Sequence, residues 1–236
     1  QDNGVTAQNL TYTPPRLKHI SHDITGIKLE PIVALASSHR IGVEVLSVLS
    51  PTLQSEDFFR EQSAEQSLML LEVQLRVLKN ALACHNIFIN LPITVLMVPE
   101  LFQRLLQLRS PPLNIEIVDP VDFFALSDTQ RQVLAQRLKQ LTIKGHRIWL
   151  DDVDDSVVQP FLSWPLPLSG IKIDKETFWR MRATPALGEL VSRCFRLAGK
   201  VLIEGIETER DRSCARQAGA QLGQGYYWPS WTWPED

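Results

Sequence analysis

The chain has 236 residues, 44% hydrophobic and 22% charged, with a formal net charge of -3. That length suits one large core or two small ones, and the near balance of charge excludes the broad electrostatic footprint that duplex or membrane binding needs. No apolar run approaches the ~20 residues of a membrane helix, and no signal-peptide pattern opens the chain. Direct nucleic-acid or membrane binding by this segment is therefore not expected. Cys84, Cys194 and Cys214 are widely spaced and form no CxxC pair, so neither a disulfide framework nor a zinc site is implied and a reducing, cytoplasmic setting is the simpler reading. The first residue, Gln1, is not a methionine, which points to a portion of something longer.

Residues 1–25, with Pro14-Pro15 and several Gln, Asn and Thr, lack apolar periodicity and read as a linker or mobile arm. The folded domain is expected over 26–236, starting near Ile27. Short apolar runs then alternate with helical spacing, the pattern of strand and crossover helix. Strands are predicted at Lys28–Val33, Gly42–Leu46, Ile87–Leu91, Asn114–Val118, Arg147–Leu150, Gly170–Ile173, Val201–Ile203 and Leu222–Tyr226. Between them, Leu68, Leu71, Leu75 and Leu78 share one helix face, as do Val133, Leu134, Leu138 and Leu141. Only a short stretch containing Ser37, Ser38 and His39 separates the first two strands, too little for a helical crossover, so these two should pair antiparallel. The class is α/β: a modified TIM-type (β/α)8 barrel with an antiparallel first strand. An open doubly wound sheet is the alternative, but no glycine-rich phosphate loop follows the first strand to support it.

A barrel builds its site at the carboxyl ends of its strands, and nearly every predicted strand carries a polar residue there. In order these are Glu44, Asn90, Glu116, the pair Asp151 and Asp152, Lys172, Glu204 and Gln224. Singly, each reads as a half-exposed or hydrogen-bonded strand residue, and the aspartate pair as a turn or cap. Together, five carboxylates on one rim would repel one another unless cations neutralised them, and all-oxygen donor sets select Mg²⁺ or Mn²⁺. Two such ions can clamp a phosphoester and activate a water, so the expected reaction class is phosphodiester hydrolysis.

These residues lie in motifs that resemble, in order, those of the EAL phosphodiesterases, which open cyclic-di-GMP to linear pGpG. GVEVL holds Glu44-Val45-Leu46 in place of the signature EAL; EPIV precedes it at Glu30; FINLP, IEIVD, LDDVDD, IKID, IEGIETE and LGQGY follow. The resemblance spans residue 27 to about 230 and implies the barrel with its antiparallel first strand. It also implies that Glu44, Asn90, Glu116 and Asp151 hold one Mg²⁺ or Mn²⁺ ion, that Asp152 contributes to a second, and that Glu204 completes the metal site and orients water. Catalytic roles fall to Glu204, Lys172 and Asp152, substrate contacts to Glu30, Leu46 and Gln224, and a loop-stabilising role to Asp119. Implied partners are cyclic-di-GMP and an attached regulatory domain.

Departures gather on the substrate side. Val48 stands where the family has a phosphate-gripping Arg, and Glu30 replaces the glutamine of QPIV. The DDFGTG loop reads DDVDDS, with two glycines gone, so left-handed backbone there should be costly. Asp119 is one methylene shorter than the family's second acid. Tyr226, Tyr227, Trp228, Trp231 and Trp233 form an aromatic cluster that either stacks a base or packs the barrel bottom or a protein partner. Weak substrate binding is expected, with a non-catalytic regulator or another two-metal hydrolase as alternative functions. The resemblance further implies a homodimer through the loop after Asp152; Asp152, Asp154 and Asp155 would oppose their own copies there, so it should be weak and favoured by salt.

Overall fold

The computed structural model describes residues 24–49, 63–79 and 86–233. The expected arm lies, up to residue 23, outside the described residues, as does Cys84. Strand β1 (Ile24–Ala34) runs into β2 (Arg40–Leu49) through a five-residue turn, and the two pair antiparallel with Glu30 opposite Glu44. Strands β3 (Ile87–Pro92), β4 (Asn114–Val118), β5 (Arg147–Val153), β6 (Gly170–Ile173), β7 (Lys200–Ile203) and β8 (Leu222–Gly223) follow in parallel. Antiparallel pairing of Val33–Ala34 with Gly223–Leu222 closes the barrel. The expected α/β barrel with an inverted first strand is the observed fold.

Several strand bounds differ from expectation: β2 extends past both predicted ends, to Arg40 and Leu49, and β5 runs on to Val153. β1 begins at Ile24, four residues early. β8 stops at Gly223, so Gln224 lies just beyond its strand. A ninth strand, β9 (Trp231–Trp233), continues along β1 above β8, pairing Trp231 with Leu29 and Trp233 with Ile27.

The outer layer contains helices α1 (Ala64–Leu78), α2 (Ile93–Met97), α3 (Pro99–Leu106), α4 (Asp128–Ile143), α5 (Val158–Ser163), α6 (Lys175–Met181), α7 (Pro185–Cys194) and α8 (Glu209–Gln217), with a 3₁₀ turn at Pro120–Ala125. Both long helices start at a reciprocal capping box, Ser63 with Gln66 and Ser127 with Gln130, each satisfying two otherwise orphaned donors. The predicted face of α4 is buried at Leu134, Leu138 and Leu141. On α1, Leu75 is only half-buried, and Leu70, Gln74 and Val77 join Leu68, Leu71 and Leu78 in facing the barrel.

Side chains alternate across a strand, so every second residue points to the barrel axis. One inward set, Ile32, Phe88, Trp149, Leu202 and Leu222, forms an apolar layer separate from the core between sheet and helices. Gly170 makes this layer possible, because a Cβ there would sit 2.3 Å from the Trp149 ring. Beneath, at the amino ends of the strands, Asn114 Oδ1 accepts from Trp149 Nε1 at 3.0 Å and Arg147 Nε at 2.9 Å, while Asn86 Oδ1 accepts from Asn114 Nδ2 and Arg147 Nη2, both at 2.7 Å. This satisfied polar plug seals the bottom. Stepping two residues up each strand from the apolar layer gives the polar rim.

Candidate active site

At the centre of that rim stands Lys172, 0% exposed. Its Nζ lies 2.9 Å from Glu44 Oε1 and 2.9 Å from Glu116 Oε1, and donates to Gln224 Oε1 at 2.6 Å, with the Phe88 ring below at 5.7 Å. Burial alone would drive the proton off this amine. The charges of Glu116, Glu44, Asp151 and Glu204 outweigh it and hold Lys172 protonated, well above the usual lysine range. It is no surface lysine.

Glu44 is fully engaged: Oε1 accepts from Lys172 and from Gln224 Nε2 at 3.0 Å, and Oε2 accepts from Asn90 Nδ2 at 2.8 Å. Burial raises its pKa, but the Lys172 charge and these donors win and the net shift is downward. Glu116 is the opposite case. It is 0% exposed, and although Lys172 is within ion-pair distance the geometry is not that of a hydrogen bond, so neither carboxylate oxygen has a hydrogen-bond partner. Burial first and the Glu44 charge second push its carboxyl well above the ordinary range.

The remaining acids form a second group. Asp151, Asp152 and Glu204 each bring a carboxylate oxygen within 4.8 Å of the others. Burial, then mutual repulsion, raises Glu204 well above its usual value, and Asp151 is also raised. Asp152 reaches solvent yet is pushed up to about 7, by partial desolvation first and then by Asp151, Asp174, Glu44 and Asp119. Asp152 also has φ of 48°, a left-handed conformation that aspartate tolerates better than most residues and that clusters at functional sites. A buried carboxylate with no hydrogen bond, sharing one ammonium with Glu44 and lying beside further converging acids, fits a hard divalent cation with oxygen ligands.

The structure thus splits the sequence-predicted metal residues into Glu44, Asn90 and Glu116, gathered with Gln224 around Lys172, and a cluster of Asp151, Asp152 and Glu204. Leu46 is half-buried one step further up β2, opposite Lys28. Glu30 faces the site but is paired with Lys28 at 3.1 Å. Asp119 follows β4 with φ of 48° and acts on Asp152 through space. In the DDVDDS loop, neither Asp154 nor Ser156 adopts positive φ; instead Asp154 Oδ1 accepts from Ser156 N at 2.8 Å and Ser156 Oγ at 2.6 Å. The expected strain at the lost glycines is absent because a side-chain turn replaces the left-handed one.

A cleft of about 230 Å³ opens beside this rim, bounded by Glu30, Glu44, Glu204 and Gln224 on its floor. Tyr226 and Trp228 wall it, so those two aromatics sit at the mouth rather than the barrel bottom. Trp231 is half-buried against the core. Lys175, Trp179 and Glu207 also line the cleft and were not anticipated, although Lys175 directly follows the IKID motif and Glu207 lies within IEGIETE. At this volume the cleft is below the 300–1,000 Å³ usual for drug-sized ligands, so a dinucleotide would extend over the open rim.

The family model described as EAL domain matches residues 18–230. An EAL domain protein from Listeria monocytogenes superposes with a TM-score of 0.71 at 21% identity, covering 93% of this chain and 92% of that one. A MucR phosphodiesterase in complex with cyclic-di-GMP gives 0.66 at 22% identity, covering 93% and 95%. BlrP1 of Klebsiella pneumoniae, in a manganese and cyclic-di-GMP complex, gives 0.69 at 23%, covering 88% of this chain and 56% of that one. No curated protein matches.

Proposed function

The chain belongs to the EAL domain family, and from that premise we propose that it is a metal-dependent phosphodiesterase that hydrolyses cyclic-di-GMP to linear pGpG with weakened substrate binding. Water adds across one P–O3′ bond: its oxygen joins phosphorus, the 3′ oxygen leaves and takes up a proton, and the ring opens to a 5′-phosphate. The observation that carries this reading is the Glu116 carboxylate, wholly buried, with no hydrogen bond to either oxygen and only the shared Lys172 ion pair at 2.9 Å to offset its charge, next to the converging oxygens of Asp151, Asp152 and Glu204. Such a set costs several kcal/mol unless a cation completes it.

Glu44, Asn90, Glu116 and Asp151 would hold one Mg²⁺ or Mn²⁺ ion, and Asp152 with Glu204 a second. When bound, the ions supply Lewis-acid polarisation of the phosphodiester and a lowered pKa for attacking water. Lys172, fixed by Glu44 and Gln224 and kept protonated by the surrounding carboxylates, stabilises negative charge on the attacking or phosphoryl oxygen. Glu204 and Asp152 orient the water and are the carboxylates able to accept its proton. Gln224, bridging Lys172 and Glu44, fixes both side chains in their rotamers.

A second reading, a non-catalytic cyclic-di-GMP-responsive regulator, is favoured by Val48 in the place of the family's arginine. Incubation with cyclic-di-GMP and Mn²⁺, with product separated by chromatography, decides between them. The expected outcome is pGpG formation that Glu44→Ala abolishes together with Mn²⁺ binding by calorimetry. Saturable Mn²⁺ binding without any turnover would favour the regulator.

A further inference from the structure

The cleft poses an electrostatic problem for any phosphate ligand. Glu30, Glu44, Glu204 and Glu207 all line it, and Lys175 is the one cation among the described lining residues. Lys28, on the same rim, spends its charge on Glu30 at 3.1 Å. We propose that Lys175, braced by Trp179, is a phosphate-binding point of this cleft, supplying from α6 the charge that position 48 on β2 lacks. The proposal rests on the phosphodiesterase reading of the same site.

The local construction supports it. Lys175 is the first residue of α6, directly beyond the strand that carries Lys172. Its ammonium lies 5.7 Å from the Trp179 ring centroid, one helical turn on, and among the described residues no ion-pair partner competes for it. Trp179 is itself fixed, its Nε1 donating to Gly205 O at 2.8 Å. Gly205, adjacent to Glu204, has φ of 86°, and a Cβ there would meet Lys175 Cβ at 2.6 Å and Trp179 Nε1 at 3.0 Å. The absent side chain is what lets the start of α6 close onto the loop that bears Glu204. A phosphodiester engaged at Glu204 is therefore next to the Lys175 wall. A compact ammonium with no ion-pair partner among the described residues, held over an indole at a cleft mouth, suits a phosphate oxygen.

Two measurements test this on the intact chain: steady-state hydrolysis of cyclic-di-GMP with Mn²⁺, and calorimetric titration with GMP in Mg²⁺ buffer. Lys175→Ala should raise KM about tenfold, the scale of one lost charge-assisted contact, with kcat within about twofold, and should weaken GMP binding similarly; Lys175→Arg should stay close to wild type in both. Unchanged KM and GMP affinity in Lys175→Ala would overturn the proposal while leaving the phosphodiesterase reading intact. Lys175-dependent GMP binding in a wild-type protein that never opens cyclic-di-GMP would keep this subsite and overturn that reading. A wild type with neither activity nor GMP binding overturns both.

Discussion

Proton and metal compete for the same carboxylates at the residue scale. Asp152 is pushed up to about 7, and Glu116, Glu204 and Asp151 are raised with it. An unfolded carboxyl titrates at about 4, so the raised folded value of Asp152 costs nothing below that pH and its full amount above about 7, and the other raised acids add to the same loss. The metal-free protein should therefore lose stability as pH rises from about 4 to 7, and the rise in Tm on adding Mn²⁺ should grow over the same window, because cations relieve the repulsion that deprotonation creates. Thermal scans at pH 5 and pH 8, with chelator and with Mn²⁺, check this; equal Mn²⁺ shifts at both would disprove it. Lys172→Met removes the only buried lysine or arginine among the described residues, and kcat should fall by about 10²–10⁴ even if Glu44 and Asn90 keep their bond. Sequence made these residues legible because a charged side chain interrupting an apolar strand has few explanations. It did not show that Glu116 lacks a donor while Glu44 has three, since that depends on which way a lysine 128 residues from Glu44 reaches. Val48→Arg, restoring the cation that the family carries at this position of β2, should lower KM several-fold.

Among elements, the loop between β8 and β9 decides how the cleft is walled. Tyr227 Oη donates to Glu209 Oε2 at 2.8 Å, Glu209 accepts from Arg212 Nε at 2.9 Å, and Arg212 Nη1 reaches the carbonyl of Leu35 in the first turn. The hydroxyl and guanidinium contacts are at the surface, so Glu209→Gln should barely change Tm but should loosen Tyr226 and Trp228, seen as faster proteolysis of the loop and a higher KM. Gly225 is less forgiving: its φ is 149° and a Cβ would come 2.1 Å from Ile206 O. Gly225→Ala should cost roughly 2–4 kcal/mol, read as a lower denaturation midpoint. The eight barrel strands were legible as short apolar runs alternating with stretches of helical spacing. β9 was not, because three residues of Trp-Thr-Trp become a strand only through pairing with β1, about two hundred residues away in sequence, and no local pattern announces that. Lys175 and Trp179 were missed for a related reason: their place at the mouth follows from the close approach to Gly205, not from their own segment.

Considered as a whole molecule, the expected weak dimer changes its basis. Asp155, read from sequence as a bare charge, pairs with Arg180 at 2.8 Å, which holds its carboxyl below the usual range, and Asp154 is occupied by Ser156. If the chain associates through this loop, Asp155→Asn should leave association unchanged, whereas Arg180→Ala, baring the aspartate, should weaken it at low salt and less so at high salt. Sedimentation of both variants at two ionic strengths tests the point; stronger association of Asp155→Asn would mean the Arg180 pair does not form in solution. The inverted first strand has a mechanical corollary. Because β1 runs from the rim downward, Ile24 sits at the mouth beside the carboxyl end of β2, and Trp233 pairs with Ile27 next to it. The described residues begin and end on neighbouring strands at the polar-rim side of the barrel. Tension separating those two points would load the β1–β9 hydrogen bonds one at a time, as a zipper rather than in shear, so that seam should open first. The strand it frees is the one that carries Glu30 into the cleft, so a pull at either end would reach the substrate wall before it disturbed the carboxylates beneath.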